Sequence, residues 1–382
     1  MGKIIRGSSK VMSERRTIVI SAVNLRKGGT LTILKDCLQY LSELAHESDY
    51  RVVALVHKRE LCYYEGIEYI EMPDIIEGWG KRLWCEYVVM HKISKKLAPV
   101  YLWLSLHDTS PRVVAERQAV YCQTSFPFYK WSFRDFKMDF KIPMFAMFTK
   151  YAYKININSN RYLIVQQNWL REGFGRMFGL GKAKFIVAPP QRKSLEIVPE
   201  EIFNDCFTFF YASTPDCHKN FETLCEAASL LEAEVGKGKF KVVLTLNGEE
   251  NKYSRWLHSQ WGKVQSIKFA GFMSKERLFG YYKSADSLVF PSKVETWGLP
   301  ITEFLETSVD KPMLLSDLPY AHETAAGASR VCFFNPSNPA ELKERMKELI
   351  QGKYAALAPV AKLEIEEPKA DSWNELFEIL LR

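Results

Sequence analysis

Short apolar runs alternate with amphipathic segments in both halves of the chain. Residues 31–45 place apolar side chains at helical spacing along one face, and residues 17–22 and 51–56 on either side are apolar runs of strand length. Because strands that alternate with helices form parallel sheets covered by helices, the pattern predicts an α/β fold. The predicted strands are 17–22, 51–56, 101–105, 162–165, 185–188, 207–211, 242–246, 267–269, 288–290, 313–315 and 331–334. The predicted helices include 31–45, 81–97, 169–178, 221–234 and 371–381.

A polar stretch with three prolines, residues 189–206, separates two such series and is predicted to be a linker. We therefore predict two doubly wound, Rossmann-like domains, residues 1–190 and 207–362, facing each other across a cleft. A C-terminal helix at about 367–382 can pack back on the first domain. Ligands of such folds bind at the carboxyl ends of the strands, so we expect the binding site in the cleft.

The composition is that of a soluble globular protein, with 382 residues, 47% hydrophobic and 25% charged. No apolar run approaches the ~20 residues that a membrane-spanning helix requires. Residues 1–10 lack the extended apolar core of a secretory signal. The eight cysteines are scattered without C-x-x-C pairs, which favours buried free thiols in a reducing compartment. We expect a cytoplasmic protein.

The two halves of the chain carry opposite charge. Residues 1–190 contain 29 Lys and Arg against 17 Asp and Glu, a balance of +12, whereas residues 191–382 contain 23 against 28, a balance of −5. A basic half indicates an anionic partner: nucleic acid, an anionic membrane face or a phosphorylated substrate.

Residues 126–154 combine eleven aromatic residues with six Lys or Arg and two Asp. Aromatic rings interleaved with cations suit the interface of an anionic membrane, so we expect a peripheral contact with the inner face of the plasma membrane through this segment. The alternative is a helix packed in the core of its own domain. Single-stranded nucleic acid is a third partner for such residues, but the sequence contains no RNA-binding module, so no nucleic acid is expected.

Two carboxylates eight positions apart, Glu295 and Glu303, follow the predicted strand 288–290. Gly298 permits a tight turn, and Pro300 suits the first turn of a helix. The free amides of that helix start form an anion site, and Glu303, about one turn in, can accept two hydrogen bonds from a ribose diol. The pattern indicates a nucleotide-sugar pocket; the alternative is a capped helix with two surface acids.

Lys219 follows the predicted strand 207–211 and a turn, and it precedes a predicted helix. An ammonium group at such a strand end can neutralise a diphosphate. The alternative is a solvated surface lysine.

Several segments together resemble a known family, the retaining GT-B glycosyltransferases of glycosyltransferase family 4. The resemblance is strong over residues 207–340 and weaker, but in the right order, over the N-terminal half. The segments that carry it are 209–220, 271–278, 284–292, 295–303 and 316–323. It implies a sugar transfer, with retention, from a nucleoside-diphosphate sugar to a hydroxyl of a glycan or lipid-linked glycan acceptor, in bacterial surface polysaccharide biosynthesis. It also implies that the leaving phosphate, rather than a protein base, takes the proton of the acceptor.

The resemblance also implies roles for individual residues. The catalytic candidates are Glu295, His107 and Lys219. The donor-binding candidates are Glu303, Ser213, Thr214, Trp297, Gly298, Leu299, Gly28, Gly29, Asn247, Gly248, Phe272 and Met273. Ser213 stands where the family usually has Arg, and Gln123 stands where it often has His. The chain has no D-x-D motif, so no metal or other cofactor is expected, and Lys219 and the helix amides would supply the positive charge.

Two other functions fit the same features. One is a GT-B sugar-nucleotide epimerase or a phosphorylase, although the sequence shows no motif for a lysine-bound cofactor. The other is a degenerate relative that binds glycan or membrane without catalysis, which the substitutions at Ser213 and Gln123 would allow.

Overall fold

The first parallel sheet has seven strands in the order β3-β2-β1-β4-β5-β6-β7. The computed structural model of the chain describes residues 16–76, 78–191, 197–202 and 204–382. The strands are β1 Arg16–Ala22, β2 Tyr50–Val56, β3 Ile67–Glu71, β4 Val100–Ser105, β5 Arg117–Tyr121, β6 Tyr162–Val165 and β7 Phe185–Val187. Residues of β1 pair in register with β2 on one side and β4 on the other, so the chain order reverses at this point of the sheet.

The second parallel sheet has six strands in the order β10-β9-β8-β11-β12-β13. They are β8 Phe207–Tyr211, β9 Phe240–Leu244, β10 Ile267–Phe269, β11 Ser287–Phe290, β12 Met313–Ser316 and β13 Val331–Phe334. Here the order reverses between β8 and β11, where Phe209 pairs with Ser287. These two sheets confirm the predicted α/β fold with two doubly wound domains.

Helices connect the strands. They are α1 Gly28–Glu47, α2 Trp79–Trp84, α3 Met90–Leu97, α4 Phe133–Met138, α5 Lys141–Lys154, α6 Asn168–Phe178, α7 Phe221–Val235, α8 Lys252–Trp261, α9 Lys275–Ser284, α10 Leu299–Thr307, α11 Pro319–Thr324, α12 Pro339–Ile350 and α13 Trp373–Leu381. The helix predicted at 31–45 begins earlier, at Gly28, whose φ of 64° a glycine adopts without strain. The helix predicted at 81–97 is interrupted by a π-helical segment at Cys85–Val89.

Each sheet has its own buried core, and α13 joins the core of the first domain. Its side chains Trp373, Phe377 and Leu380 are buried in one cluster with Leu34 of α1 and the strands of the first sheet. The C-terminal helix therefore crosses back from the second domain to the first. The domain boundaries themselves stay a prediction.

The cysteines and the lengths of the described helices relate to two further expectations from the sequence. All eight cysteines are free, and seven of them are buried. None of the described helices combines the length and the apolar character that a bilayer crossing requires. Residues 1–10, and residues 192–196 and 203 of the predicted linker, lie outside the described residues.

Candidate functional site

The reversal of strand order between β8 and β11 places two loops on either side of a crevice. In doubly wound sheets the connections after two such strands run to opposite faces of the sheet, which leaves a gap at the carboxyl ends. Lys219 follows β8, and Glu295 follows β11. The topology therefore brings together two residues that are far apart in the sequence.

The crevice opens into a cleft of about 650 Å³ between the two domains. The second domain contributes Lys219, Glu295, Glu303, Tyr282 and Glu250 to its lining, and the first domain contributes Thr30, Asp36, Tyr121, Gln123 and Gln166. Trp373 and Leu376 of α13 complete the wall on the side of the first domain. A cleft with polar groups converging from two domains is a common form of small-molecule site.

Lys219 and Glu295 form an ion pair inside this cleft. The Nζ atom of Lys219 lies 2.6 Å from Oε1 of Glu295, and both side chains are largely shielded from solvent. Lys219 ends a short 3-10 helix, Cys217–Lys219, and its carbonyl accepts a hydrogen bond of 2.7 Å from the Tyr211 hydroxyl. The ammonium group is held at the cleft wall, where an anionic ligand would compete with Glu295 for it.

Glu303 lies in the same cleft on α10. This helix starts after Gly298, which has a left-handed backbone with φ of 89°, and Pro300 occupies its first turn. The Tyr282 hydroxyl donates a hydrogen bond of 2.9 Å to Oε2 of Glu303, which orients the carboxylate. Burial raises the pKa of Glu303 above its ordinary value.

Most of the predicted donor-binding residues line the cleft. These are Ser213, Thr214, Phe272, Met273, Trp297, Gly298, Leu299, Glu303 and Gly29. Gly28, Asn247 and Gly248 are not among the lining residues. The backbone N–H groups of Asn247 and Gly248 donate to the carboxylate of Glu250, which lines the cleft in their place. Asn247 and Gly248 therefore form a turn that the carboxylate of Glu250 caps.

The structure does not bring His107 to the cleft. His107 follows β4, as the sequence predicts, but its side chain is buried under the end of the sheet. Its Nε2 lies 3.2 Å from Oγ of Ser21, its Nδ1 lies 3.0 Å from Oγ1 of Thr109, and Glu86 is 3.5 Å away. Burial lowers the pKa of His107 to about 4, so the ring is neutral at ordinary pH.

Gln123 lies in the cleft wall, at a contact between the two domains. The sequence pattern marks this residue only as a replacement for the histidine that the family often has. Its side chain is only 8% exposed, it lines the cleft, and its Nε2 donates a bond of 2.6 Å to the Leu106 carbonyl. The hydroxyl of Thr296, next to Glu295, donates a bond of 3.3 Å to the Gln123 carbonyl from the other domain. The loop that carries Gln123 thus touches the loop that carries Glu295.

A second polar contact joins the domains behind the cleft. The carboxylate of Glu323 in α11 accepts hydrogen bonds of 2.7 and 2.6 Å from the backbone N–H groups of Asn168 and Trp169, at the start of α6. The Gln167 amide donates to Oγ1 of Thr324 at 2.7 Å. A carboxylate from one domain therefore caps a helix of the other.

In the described ranges, which omit 1–15, 77, 192–196 and 203, no group of three or more His, Cys, Asp and Glu side chains could hold a metal ion. The expectation that no metal is needed stays a prediction.

Comparisons with known proteins agree with this architecture. Residues 193–362 match the family model described as glycosyl transferases group 1. No curated protein matches the chain. Among solved structures, sucrose-phosphate synthase from Thermosynechococcus elongatus is similar at 14% identity, covering 88% of this chain and 90% of that one, with a TM-score of 0.61.

Two further structures extend the comparison. A glycosyltransferase from Rickettsia africae matches at 15% identity over 89% of both chains, with a TM-score of 0.60. HepE of Anabaena, solved in complex with UDP-glucose, matches at 13% identity over 89% of this chain and 92% of its own, with a TM-score of 0.58. The chain therefore has the GT-B fold. Its residues 193–362 match the model of the group 1 glycosyl transferases, which supports glycosyl transfer as its function.

Proposed function

We propose that this protein transfers a sugar from a nucleoside-diphosphate sugar to a hydroxyl group of an acceptor, with retention of anomeric configuration. One observation carries the proposal: Lys219, Glu295, Glu303 and the start of α10 line a single cleft at the switch point of the second sheet. A lysine, a helix start and a carboxylate match the diphosphate and the ribose of such a donor.

The donor would be held at three places. The ammonium group of Lys219 would meet the diphosphate, and the free amides at the start of α10, next to Gly298, would add hydrogen-bond donors. The carboxylate of Glu303, oriented by Tyr282, would accept hydrogen bonds from the ribose hydroxyls. The complex of HepE with UDP-glucose supports a nucleotide sugar as the donor class.

The reaction would break the bond between the anomeric carbon and the phosphate oxygen, and it would form a bond from the acceptor oxygen on the same face. The acceptor proton would pass to an oxygen of the departing diphosphate. Lys219 and the α10 amides would stabilise the negative charge that develops there, which is the largest contribution expected in such a site. Glu295, 2.6 Å from Lys219, would position the ammonium group.

The acceptor is proposed to be a hydroxyl of a glycan, linked to lipid at the cytoplasmic face of a bacterial membrane and used in surface polysaccharide assembly. The net charge of +12 over residues 1–190 supports an anionic surface as partner, and so does the aromatic and basic segment 126–154.

Direct binding tests the donor site. UDP, GDP and ADP are titrated into the protein and into a Glu303→Ala variant by calorimetry, followed by turnover of the matching nucleotide sugars. We expect Glu303→Ala to weaken binding by roughly tenfold or more, since a hydrogen-bonded charged partner contributes about 1.5–3 kcal/mol. Glu306→Ala is the matched control, because Glu306 is exposed on the same helix. Binding that is unchanged in Glu303→Ala contradicts the assignment.

The same measurements separate the alternatives. An epimerase would bind a nucleotide sugar without transferring the sugar to an acceptor, and a phosphorylase would transfer sugar between a glycan and inorganic phosphate without using a nucleotide. A non-catalytic relative, which Ser213 and Gln123 would permit, would show no turnover at all.

A further inference from the structure

The helix α5 has two unlike faces. Ile142, Ala146 and Tyr153 are buried on one side. Met144, Phe145, Phe148 and Tyr151 are exposed on the other, at the spacing of three and four residues that places side chains on one helix face, and Ile155, the residue directly after the helix, is exposed as well. We call these five residues the outer stripe. An apolar stripe of this kind is stabilised by contact with another apolar surface.

The outer stripe is the centre of a larger apolar surface. Among the described residues, twenty large hydrophobic side chains are exposed, and nine of them lie between positions 131 and 155. They are Trp131, Phe133, Phe136, Phe140, Met144, Phe145, Phe148, Tyr151 and Ile155, between 37% and 79% exposed. So dense a group on a soluble protein marks an interaction site.

The charges beside the stripe determine which partner it fits. Lys141, Lys150 and Lys154 are exposed on α5, and the sequence has no Asp or Glu from residue 140 to residue 171. Rings and aliphatic side chains on one face of a helix that carries three lysines and no acidic residue match the head-group region of an anionic bilayer.

The inner side of the same segment reaches the candidate donor site. Val294, the neighbour of Glu295, is buried in a cluster with Tyr129, Ile142 and Ala146. The ring of Phe126 meets the ring of His218, the neighbour of Lys219, edge-on at 5.1 Å between centroids. Both loops of the Lys219–Glu295 ion pair therefore rest on residues 126–146.

An ion-pair network adds a polar connection between this segment and the second domain. Arg134 of α4 forms a close ion pair with Glu222, which is buried in the first turn of α7. Lys293 contributes a second cation, 3.0 Å from the same carboxylate, and Lys293 precedes Glu295 by two positions. Segment 126–155 is thus connected to the loop that carries Glu295 by apolar and by charged contacts.

We propose that the outer stripe of α5 binds an anionic bilayer and that this contact strengthens nucleotide binding in the cleft. The inference rests on the proposed function for the identity of the nucleotide. The outer stripe and the side chains that pack on Val294 lie on the same helix, so the packed position of α5 presents both at once. The proposal is that a bilayer and a nucleotide both favour this packed position, in which case their coupling is reciprocal by thermodynamic necessity.

Vesicle flotation tests the surface. The protein should float with vesicles that contain phosphatidylglycerol and remain in solution with phosphatidylcholine alone. Lys150→Gln with Lys154→Gln should lower the partition coefficient by about fivefold per lysine. Phe148→Ser with Tyr151→Ser, which removes two rings that are more than half exposed, should lower it by roughly tenfold or more.

The controls are matched in chemistry. Lys95→Gln with Lys96→Gln removes two exposed lysines from α3 of the same domain, and Tyr63→Ser removes an exposed ring outside the surface. Equal losses in the controls, or flotation that the stripe variants do not reduce, overturn the proposal. Self-association through the stripe would also overturn it, and light scattering without vesicles detects that outcome.

Nucleotide titration with and without vesicles tests the coupling. The best-binding nucleoside diphosphate should bind about fivefold or more tightly in the presence of phosphatidylglycerol vesicles, the lower end of ordinary coupling. Phe148→Ser with Tyr151→Ser should remove the increase and keep the affinity measured without vesicles. Flotation with no change in affinity overturns the coupling and leaves the proposed function intact. Flotation without any nucleotide binding refutes the proposed function, and the coupling with it.

Discussion

The two sheets reverse their strand order in the same way, but the two switch points are occupied differently. In the second domain, Lys219 and Glu295 follow the central strands and face an open cleft. In the first domain, the corresponding position after β4 is filled by His107, which is buried against Ser21 and Glu86. A doubly wound topology provides a crevice at each switch point, and the side chains determine whether the crevice stays open for a ligand.

The two switch points also differ in the surroundings of their charged side chains. Arg82 and His107 lie against Glu86, whose side chain is fully buried, and Arg82 donates a bond of 2.8 Å to the His107 carbonyl. Such a network fixes the end of β4 and stabilises the domain only if its polar groups remain paired. The ion pair between Lys219 and Glu295 has a cleft beside it, where a ligand can replace one partner. Similar chemistry is therefore structural in one domain and available for binding in the other.

The largest effect is expected at the open switch point. Lys219→Ala should lower kcat by about 10²–10³-fold, the usual effect of removing one group that stabilises developing charge. Lys219→Arg should recover part of the activity, since it keeps the charge but changes its geometry. Steady-state kinetics with the identified donor measure both variants.

The control for that experiment is Lys237→Ala, which removes an exposed lysine after α7. If Lys219→Ala keeps near-normal kcat, the second switch point is not a catalytic site, and the comparison between the two domains fails.

A smaller and different effect is expected at the closed switch point. His107→Leu should lower the free energy of unfolding by about 1–3 kcal/mol, because it removes one polar partner from each of the buried side chains Glu86 and Ser21. Nucleotide affinity of the folded variant should stay within about threefold of the wild-type value, since His107 does not line the cleft. Denaturant titration and calorimetry measure the two quantities. If the variant has normal stability but has lost its affinity for nucleotide, His107 belongs to the functional site.

The pH dependence of stability sharpens the same contrast. Burial lowers the pKa of folded His107 to about 4, below the ordinary 6.5 of the unfolded chain. Between these values the unfolded state binds more protons, so stability should fall as pH decreases from 6.5 to 4 and should be unaffected by this group above 6.5. At about 1.4 kcal/mol per pKa unit, the contribution is at most roughly 3–4 kcal/mol. A His107→Gln variant should show a shallower decline, and an identical slope would contradict the buried, neutral histidine.

The residues of the second domain were predictable because each has a local signal. Glu295 and Glu303 stand on either side of a Gly and a Pro that mark a helix start, and Lys219 stands between a strand and a helix. A sheet topology then brings the two loops together. For the same reason the fold itself could be predicted, since the alternation of strands and helices is local. The hydrophobic pattern does not predict the strands β3 and β5, because their residues are partly polar and β3 is a half-exposed edge strand.

The side of the cleft that belongs to the first domain depends on contacts that no local pattern reveals. Whether His107 points to the sheet core or to the cleft is decided by Ser21 and Glu86, which are distant in sequence. Gln123 could be noticed as a substitution, but its contact with Thr296 depends on the relative placement of two domains. Trp373 reaches the cleft only because α13 packs on the first domain.

The smallest effect is expected when metal ions are removed. This experiment tests whether protein groups at the open switch point are sufficient to neutralise the charge of the diphosphate. Lys219 and the amides at the start of α10 are proposed to stabilise the leaving diphosphate, so EDTA treatment should leave kcat within about twofold of the untreated value. Added Mg²⁺ or Mn²⁺ should not raise it further. A loss of activity with EDTA that returns on adding either cation would mean that Lys219 does not suffice. The second domain would then hold its ligand through a metal-bound diphosphate.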